Sequence, residues 1–168
     1  MIKTLFLFIA VFAVTNSGVL GALGGETEIP VMDFDTFAPR LEQDDGRIYV
    51  VNFWATWCAP CVRELPAFEE LYENFKDKGV HVLLVSLDDP RQMDNRVIPF
   101  VERMQLKSEV LLLDDPNSNR WIPLVSEAWS GAIPATVIYG PGFRDFYERE
   151  FKYEELETII MSKLNELF

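Results

Sequence analysis

The stretch Ile48–Pro66, IYVVNFWATWCAPCVRELP, contains both cysteines of the chain, and its reading decides the fold. Ile48 to Trp54 is almost wholly β-branched and aromatic, the composition of a strand buried on both faces. From Cys58 to Lys78 the apolar residues Val62, Leu65, Phe68, Leu71, Tyr72 and Phe75 recur at helical spacing. Gly79 then closes the helix as a C-cap residue. Trp57-Cys58-Ala59-Pro60-Cys61 therefore falls at the junction of a buried strand and the first turn of a helix.

A C-x-x-C pair has two chemical readings. Zinc needs about four ligands, whereas the chain has two cysteines and one histidine, His81, set among apolar residues of a predicted strand. A metal site does not assemble from that set. A redox pair suits the position. Unpaired N–H groups and aligned peptide dipoles at a helix N-terminus favour negative charge. A Cys58 thiolate gains from both, and such placement lowers a thiol pKa to roughly 3.5–7.5. With two residues between them, Cys61 reaches Cys58 and can resolve a mixed disulfide by intramolecular attack. Pro60 stiffens the turn at a position whose N–H has no helical partner. An inert structural bond is the weaker reading, because closing so short a loop removes little chain entropy.

The composition narrows the function classes further. A chain of 168 residues with 49% hydrophobic and 25% charged residues is long and apolar enough for one folded domain. Its net charge of −12, without a cluster of Lys or Arg, argues against nucleic acid as a partner. Two cysteines are too few for a disulfide-stapled scaffold, so stability rests on apolar packing.

Outward from the motif, strands alternate with helices. Asp33–Glu42 reads as a short helical stretch with Asp35 as its N-cap. Val80–Leu87 is the next strand, and Arg91–Gln105 is helical, with Pro99 kinking it or opening a second segment. Val110–Leu113 is a short apolar strand. Ala135–Tyr139 and Arg144–Phe151 form a hairpin about Gly140-Pro141-Gly142. Tyr153–Phe168 closes the chain as a helix with Leu156, Ile159, Ile160, Leu164 and Leu167 on one face. This order predicts an α/β fold with a mixed central sheet and helices on both sides.

The N-terminus carries an address. Lys3 precedes the apolar run Leu5–Val14, and Thr15-Asn16-Ser17-Gly18 breaks it, the layout of a secretory signal peptide over residues 1–21. Residues 4–25 carry no charge, about enough length to span a bilayer, so an uncleaved N-terminal anchor is the competing reading. Membrane contact is expected only through this segment.

The run Val51–Cys61 followed by Arg63-Glu64-Leu65-Pro66, with Asp88-Asp89 and Gly131-Ala132-Ile133-Pro134-Ala135-Thr136, resembles the thioredoxin superfamily, in particular its TlpA/ResA-type thiol–disulfide oxidoreductases. The resemblance covers residues 28–168 and implies a thioredoxin-like domain with a helical insertion between central strands. It also implies that Pro134 is the family's cis-proline, facing the Cys58–Cys61 pair and leaving the Ile133 backbone free to pair with a substrate peptide. From the sequence alone a trans proline would be the default. Trp57 would form part of the apolar rim that receives the partner. Trp54 is expected inside, Trp129 in either place, and Arg63 on the surface. Glu64 follows Cys61 by three residues, on the same side of the helix, where an acid is linked in this family to proton handling. The plainer alternative is a solvated Glu that favours the helix dipole. Asn52 stands where thioredoxins carry a buried Asp, and because it cannot ionise, proton transfer falls to Glu64 or to solvent.

The function expected is an exported thiol–disulfide oxidoreductase of the periplasm or cell envelope. It would act on disulfide-containing protein substrates through Cys58, Cys61 and Glu64, with Trp57, Ile133 and Pro134 binding the substrate. No cofactor is required, but a membrane-linked thiol reductant must restore the dithiol. A peroxiredoxin-type thiol peroxidase is an alternative. Its P-x-x-x-T-x-x-C pattern, aligned on Cys58, would need Pro and Thr where the chain has Val51 and Ala55. A non-catalytic binding module on the same fold is the other.

Overall fold

The computed structural model describes residues 28–167. The predicted strand Ile48–Trp54 (β2) is buried along its whole length at the centre of a six-stranded sheet. Alternation of side chains divides it between two cores. Ile48, Val50 and Trp54 face one, while Tyr49, Val51 and Phe53 face the other.

Around it lie Val31–Met32 (β1), Val80–Ser86 (β3), Glu109–Leu113 (β4), Ala135–Gly140 (β5) and Phe143–Tyr147 (β6), in the order β1-β4-β3-β2-β5-β6. The pairs from β1 to β2 are parallel, whereas β2–β5 and β5–β6 are antiparallel. A parallel neighbour needs a crossover, and helix Ala59–Phe75 (α2) supplies it between β2 and β3. α2 and the terminal helix Tyr153–Leu167 (α5) cover one face through Leu65, Phe68, Leu71, Leu156 and Ile160. Helices Phe34–Phe37 (α1) and Ser118–Val125 (α4) cover the other, where Phe34, Phe37, Trp121 and Trp129 pack around Phe53.

Several boundaries differ from expectation. The N-cap of α1 is Asp33, not Asp35: the Asp33 side chain accepts from the Thr36 N–H at 2.9 Å. Asp35 instead pairs with Arg120. α2 begins at Ala59 with Cys58 as its cap, and a tighter 3-10 turn, Lys76–Lys78, carries the chain to Gly79 at φ 81°. The stretch after β3 is a 3-10 turn at Pro90–Gln92, a π-helical turn at Met93–Val97, and then helix Ile98–Met104 (α3), with Pro99 in its first turn. β6 ends at Tyr147, so the hairpin is shorter than Arg144–Phe151 implies. β1 and α4 have no counterpart in the sequence reading. Each is short, and β1 is recognisable only through its pairing with β4. The proposed leader or anchor, residues 1–21, lies outside the described residues.

Candidate redox-active disulfide site

β2 and α2 set the two sulfurs. Cys58 keeps an extended backbone as the N-cap, while Cys61 lies in the first turn of α2, and a disulfide joins them. The Cys61 N–H points at Cys58 Sγ from 3.3 Å, one of the free helix-end donors that stabilise charge on a cap sulfur. Cys58 retains slight exposure at 5%, and Cys61 has none. The two cysteines are thus unequal in burial, Cys58 keeping a small solvent contact and Cys61 none.

Pro134 follows a cis peptide bond from Ile133, immediately before β5. That segment brings the Ile133 carbonyl oxygen to 3.6 Å from Cys58 Sγ. Trp57, between the strand end and Cys58, is 60% exposed, so a large apolar ring stands beside the disulfide. Trp54 is fully buried, and Trp129 is internal, its indole N–H donating to the Ala132 carbonyl at 2.8 Å. Arg63 is exposed and pairs with Glu150.

Below the sulfurs lies a polar cluster enclosed by the core. Glu64 is buried rather than solvated. Its Oε1 accepts from Asn52 Nδ2 at 2.8 Å and its Oε2 from the Phe151 N–H at 2.9 Å. Asn52, paired in register with Thr136 of β5, also donates to Thr136 Oγ1 at 3.1 Å. Burial pushes the Glu64 carboxyl up to about 7, against the two hydrogen bonds, which favour its ionised form.

A second buried acid holds the turn from the other side. Asp88, just past β3, accepts from the Thr56 N–H at 2.9 Å and the Thr56 hydroxyl at 2.5 Å. The Ser86 hydroxyl donates to it at 2.9 Å. Thr56 is two residues before Cys58, so Asp88 anchors the loop that carries the sulfur. In the sequence, Asp88-Asp89 carries no local sign of this role. The partnership of Glu64 with Phe151 spans 87 positions and leaves no local signal at all.

The structure brings Ile133 and the cis-Pro134 against Cys58 of the Cys58–Cys61 disulfide, leaves Trp57 exposed beside it, and buries Glu64 one turn further along the helix. A C-x-x-C disulfide at the head of the helix after the central strand, faced by a cis-proline loop, defines a thioredoxin fold. Residues 29–143 match the AhpC/TSA family, and the chain belongs to it. Among similar proteins, the thiol-disulfide oxidoreductase ResA of Oceanobacillus iheyensis is 43% identical over 56 residues, 33% of this chain and 29% of that protein. The chain spans less than half the length of the curated relatives it matches. Among solved structures, StoA from Bacillus subtilis has a TM-score of 0.55 at 21% identity, covering 70% of this chain and 84% of that one. A thioredoxin-related protein from Neisseria meningitidis serogroup B has a TM-score of 0.60 at 25% identity, covering 72% and 87%.

Proposed function

We propose that the protein is an exported thiol–disulfide oxidoreductase that reduces disulfides of partner proteins. The observation that carries this reading is the set of groups around one sulfur. Cys58 caps α2, keeps solvent contact, and has the Ile133 carbonyl 3.6 Å away and Trp57 exposed beside it. Cys58, the less buried of the two cysteines, suits attack on a partner, and the fully buried Cys61 suits resolution.

In the reduced form the Cys58 thiolate attacks a partner cystine. An S–S bond forms between Cys58 and the partner, and the partner's other sulfur leaves as a thiolate that takes up a proton. Cys61, deprotonated, then attacks Cys58 Sγ, and the second partner sulfur leaves and is protonated. Two electrons pass from the Cys58/Cys61 dithiol to the partner, and the Cys58–Cys61 bond remains. Glu64, buried one helical turn beyond Cys61 and poised near 7, is the group that accepts the Cys61 proton. Trp57 and the backbone of Ile133 before Pro134 hold the partner segment. A membrane-linked thiol donor regenerates the dithiol, and residues 1–21 direct the domain across the membrane or tether it there.

Insulin reduction by the full chain tests the activity. The wild type is expected to accelerate precipitation over the background, and Cys58→Ser to abolish the effect; equal rates would overturn the reading in favour of a binding module. The direction is tested by the midpoint potential: a value well above that of glutathione would make the protein an oxidant. A Cys61→Ser variant is expected to accumulate partners linked to Cys58, which mass spectrometry identifies. Peroxide consumption above a Cys58→Ala control would instead support the peroxidase alternative, against which Val51 and Ala55 stand.

A further inference from the structure

Beside the disulfide lies a groove of about 420 Å³. One wall is formed by Thr56 and Val62, residues of the active-site turn itself, since the Val62 N–H bonds to the Cys58 carbonyl at 3.0 Å. The other wall is the helical segment between Asn95 and Arg103, which includes the end of the π-helical turn. The charged residues lining the groove are Arg96 and Arg103, both exposed, and no acid contributes to its walls.

In a chain with 27 acidic and 15 basic residues this is an unusual place. Of its arginines, Arg40, Arg47, Arg63, Arg91, Arg120 and Arg149 each hold a carboxylate. Arg144 donates to the Leu41 and Val125 carbonyls. The remaining two are those of the groove. Among the described residues Arg96 reaches only the neutral Gln92 side chain, and Arg103 lies over the Phe100 ring at 5.2 Å. Phe100 is in turn packed against the buried Trp54, so the Arg103 guanidinium rests on a fixed ring, with no carboxylate partner among the described residues.

We infer that this groove is a specificity site for the partner polypeptide: it takes a short acidic segment, Asp or Glu side chains flanking the reducible cystine, while Trp57 takes an apolar one. The inference rests on the proposed exchange activity for its kinetic test only. The surrounding negative charge repels a uniformly acidic protein, but that field is screened beyond about 8 Å at physiological salt. Contacts inside the groove are not. The partner selected is therefore one whose acids are local to its cystine, and the wider field acts against others.

Three cystine-bridged peptides that differ only in flanking residues (Asp, Asn or Lys) test this with the full chain at physiological salt. The wild type should reduce the Asp peptide with kcat/KM about tenfold above the Lys peptide, the size expected for two exposed charge contacts. Arg96→Gln with Arg103→Gln should bring the ratio to near one without changing the Asn peptide, and Arg96→Glu with Arg103→Glu should reverse it. A Lys78→Gln, Lys107→Gln double variant removes the same charge elsewhere and should keep the wild-type ratio. An unchanged ratio in the Arg96→Gln, Arg103→Gln variant, or loss of preference in the lysine control, overturns the site. Titration of the cystine-free Asp peptide, followed by NMR of the arginine Nε–H signals, decides without catalysis. Shifts confined to Arg96 and Arg103 support the site even if no peptide is reduced, and their absence overturns it. Failure to reduce the Asn peptide counts against the exchange activity alone.

Discussion

Asn52 and Glu64 meet at 2.8 Å beneath the disulfide, the strand amide donating to the helix carboxyl, with both side chains cut off from solvent. The pair ties the central strand to the helix that carries the disulfide. Asn52 Oδ1 makes no hydrogen bond in the described structure, and an amide turned by half a rotation would present that oxygen to Glu64 and accept a hydrogen bond from its protonated carboxyl. The cluster accommodates either charge state.

Glu64 gives the protein a pH-dependent stability of defined sign. Its pKa is about 7 folded against 4.5 ordinarily, so the folded chain binds the proton more tightly than the unfolded one. The resulting stabilisation is complete below pH 4.5, falls as pH rises toward 7, and is flat above. The full loss is about 3 kcal/mol. Urea denaturation of the wild type across this window is expected to show the decline. Glu64→Gln, which keeps the shape and lets Asn52 turn its oxygen inward, should remove it. A parallel decline in both proteins would rule out Glu64 as its source.

Asn52→Ala acts on the same equilibrium from the strand. The Asn52 donor favours the carboxylate, so its removal raises the Glu64 pKa above 7. Stability should also fall, by about 1–3 kcal/mol, as buried polar groups lose a partner. The Glu64 carboxyl carbon, followed by NMR against pH, should report a midpoint displaced to higher pH. A downward displacement would mean that water entering the vacated space solvates the carboxylate.

The sequence disclosed the parts of this molecule that are local in the chain. β2, α2 and α5 follow from patterns of seven to seventeen residues, and the cysteine motif sits where strand and helix meet. Three-residue spacing from Cys61 puts Glu64 on the same side of the helix, but its burial leaves no local trace, because the Phe151 N–H and Thr136 around it arrive from distant segments. Asp33 rather than Asp35 reaches the Thr36 N–H, while Asp35 pairs with Arg120 of a distant helix, a choice that local composition does not signal. β1 has two residues and no periodicity to detect, and α4 carries Pro123 within its eight residues. The groove pair Arg96 and Arg103 is visible only after every other arginine has been given its partner.

Asp88 is expected to be worth more than its distance from the sulfurs suggests. Asp88→Ala strands the Thr56 N–H and hydroxyl and the Ser86 hydroxyl. Leaving buried donors unpaired should reduce stability by about 2–4 kcal/mol. Asp88→Asn retains one acceptor oxygen and should recover part of that loss. Urea unfolding of the three proteins measures it. Equal stability of Asp88→Ala and wild type would mean that the Thr56 turn holds itself.

The inequality of the two sulfurs makes the last prediction. In the disulfide form Cys58 caps α2 with a backbone N–H directed at its sulfur and is the less buried of the two, whereas Cys61 is fully enclosed, an arrangement that reduction is expected to leave in place. Alkylation depends on thiolate fraction and access together. Iodoacetamide at pH 7 should therefore modify Cys58 at least roughly tenfold faster than Cys61, which peptide mass spectrometry resolves. The reagent's charge separates the local field from the global one. Iodoacetate, an anion, approaches a chain of net charge −12 and should react more slowly than iodoacetamide at low salt. Added salt should narrow that difference, since screening removes the long-range repulsion while leaving the helix-end donor at 3.3 Å untouched. Equal rates at the two cysteines would show that reduction releases Cys61 from the core, and the division into attacking and resolving sulfurs would have to be abandoned.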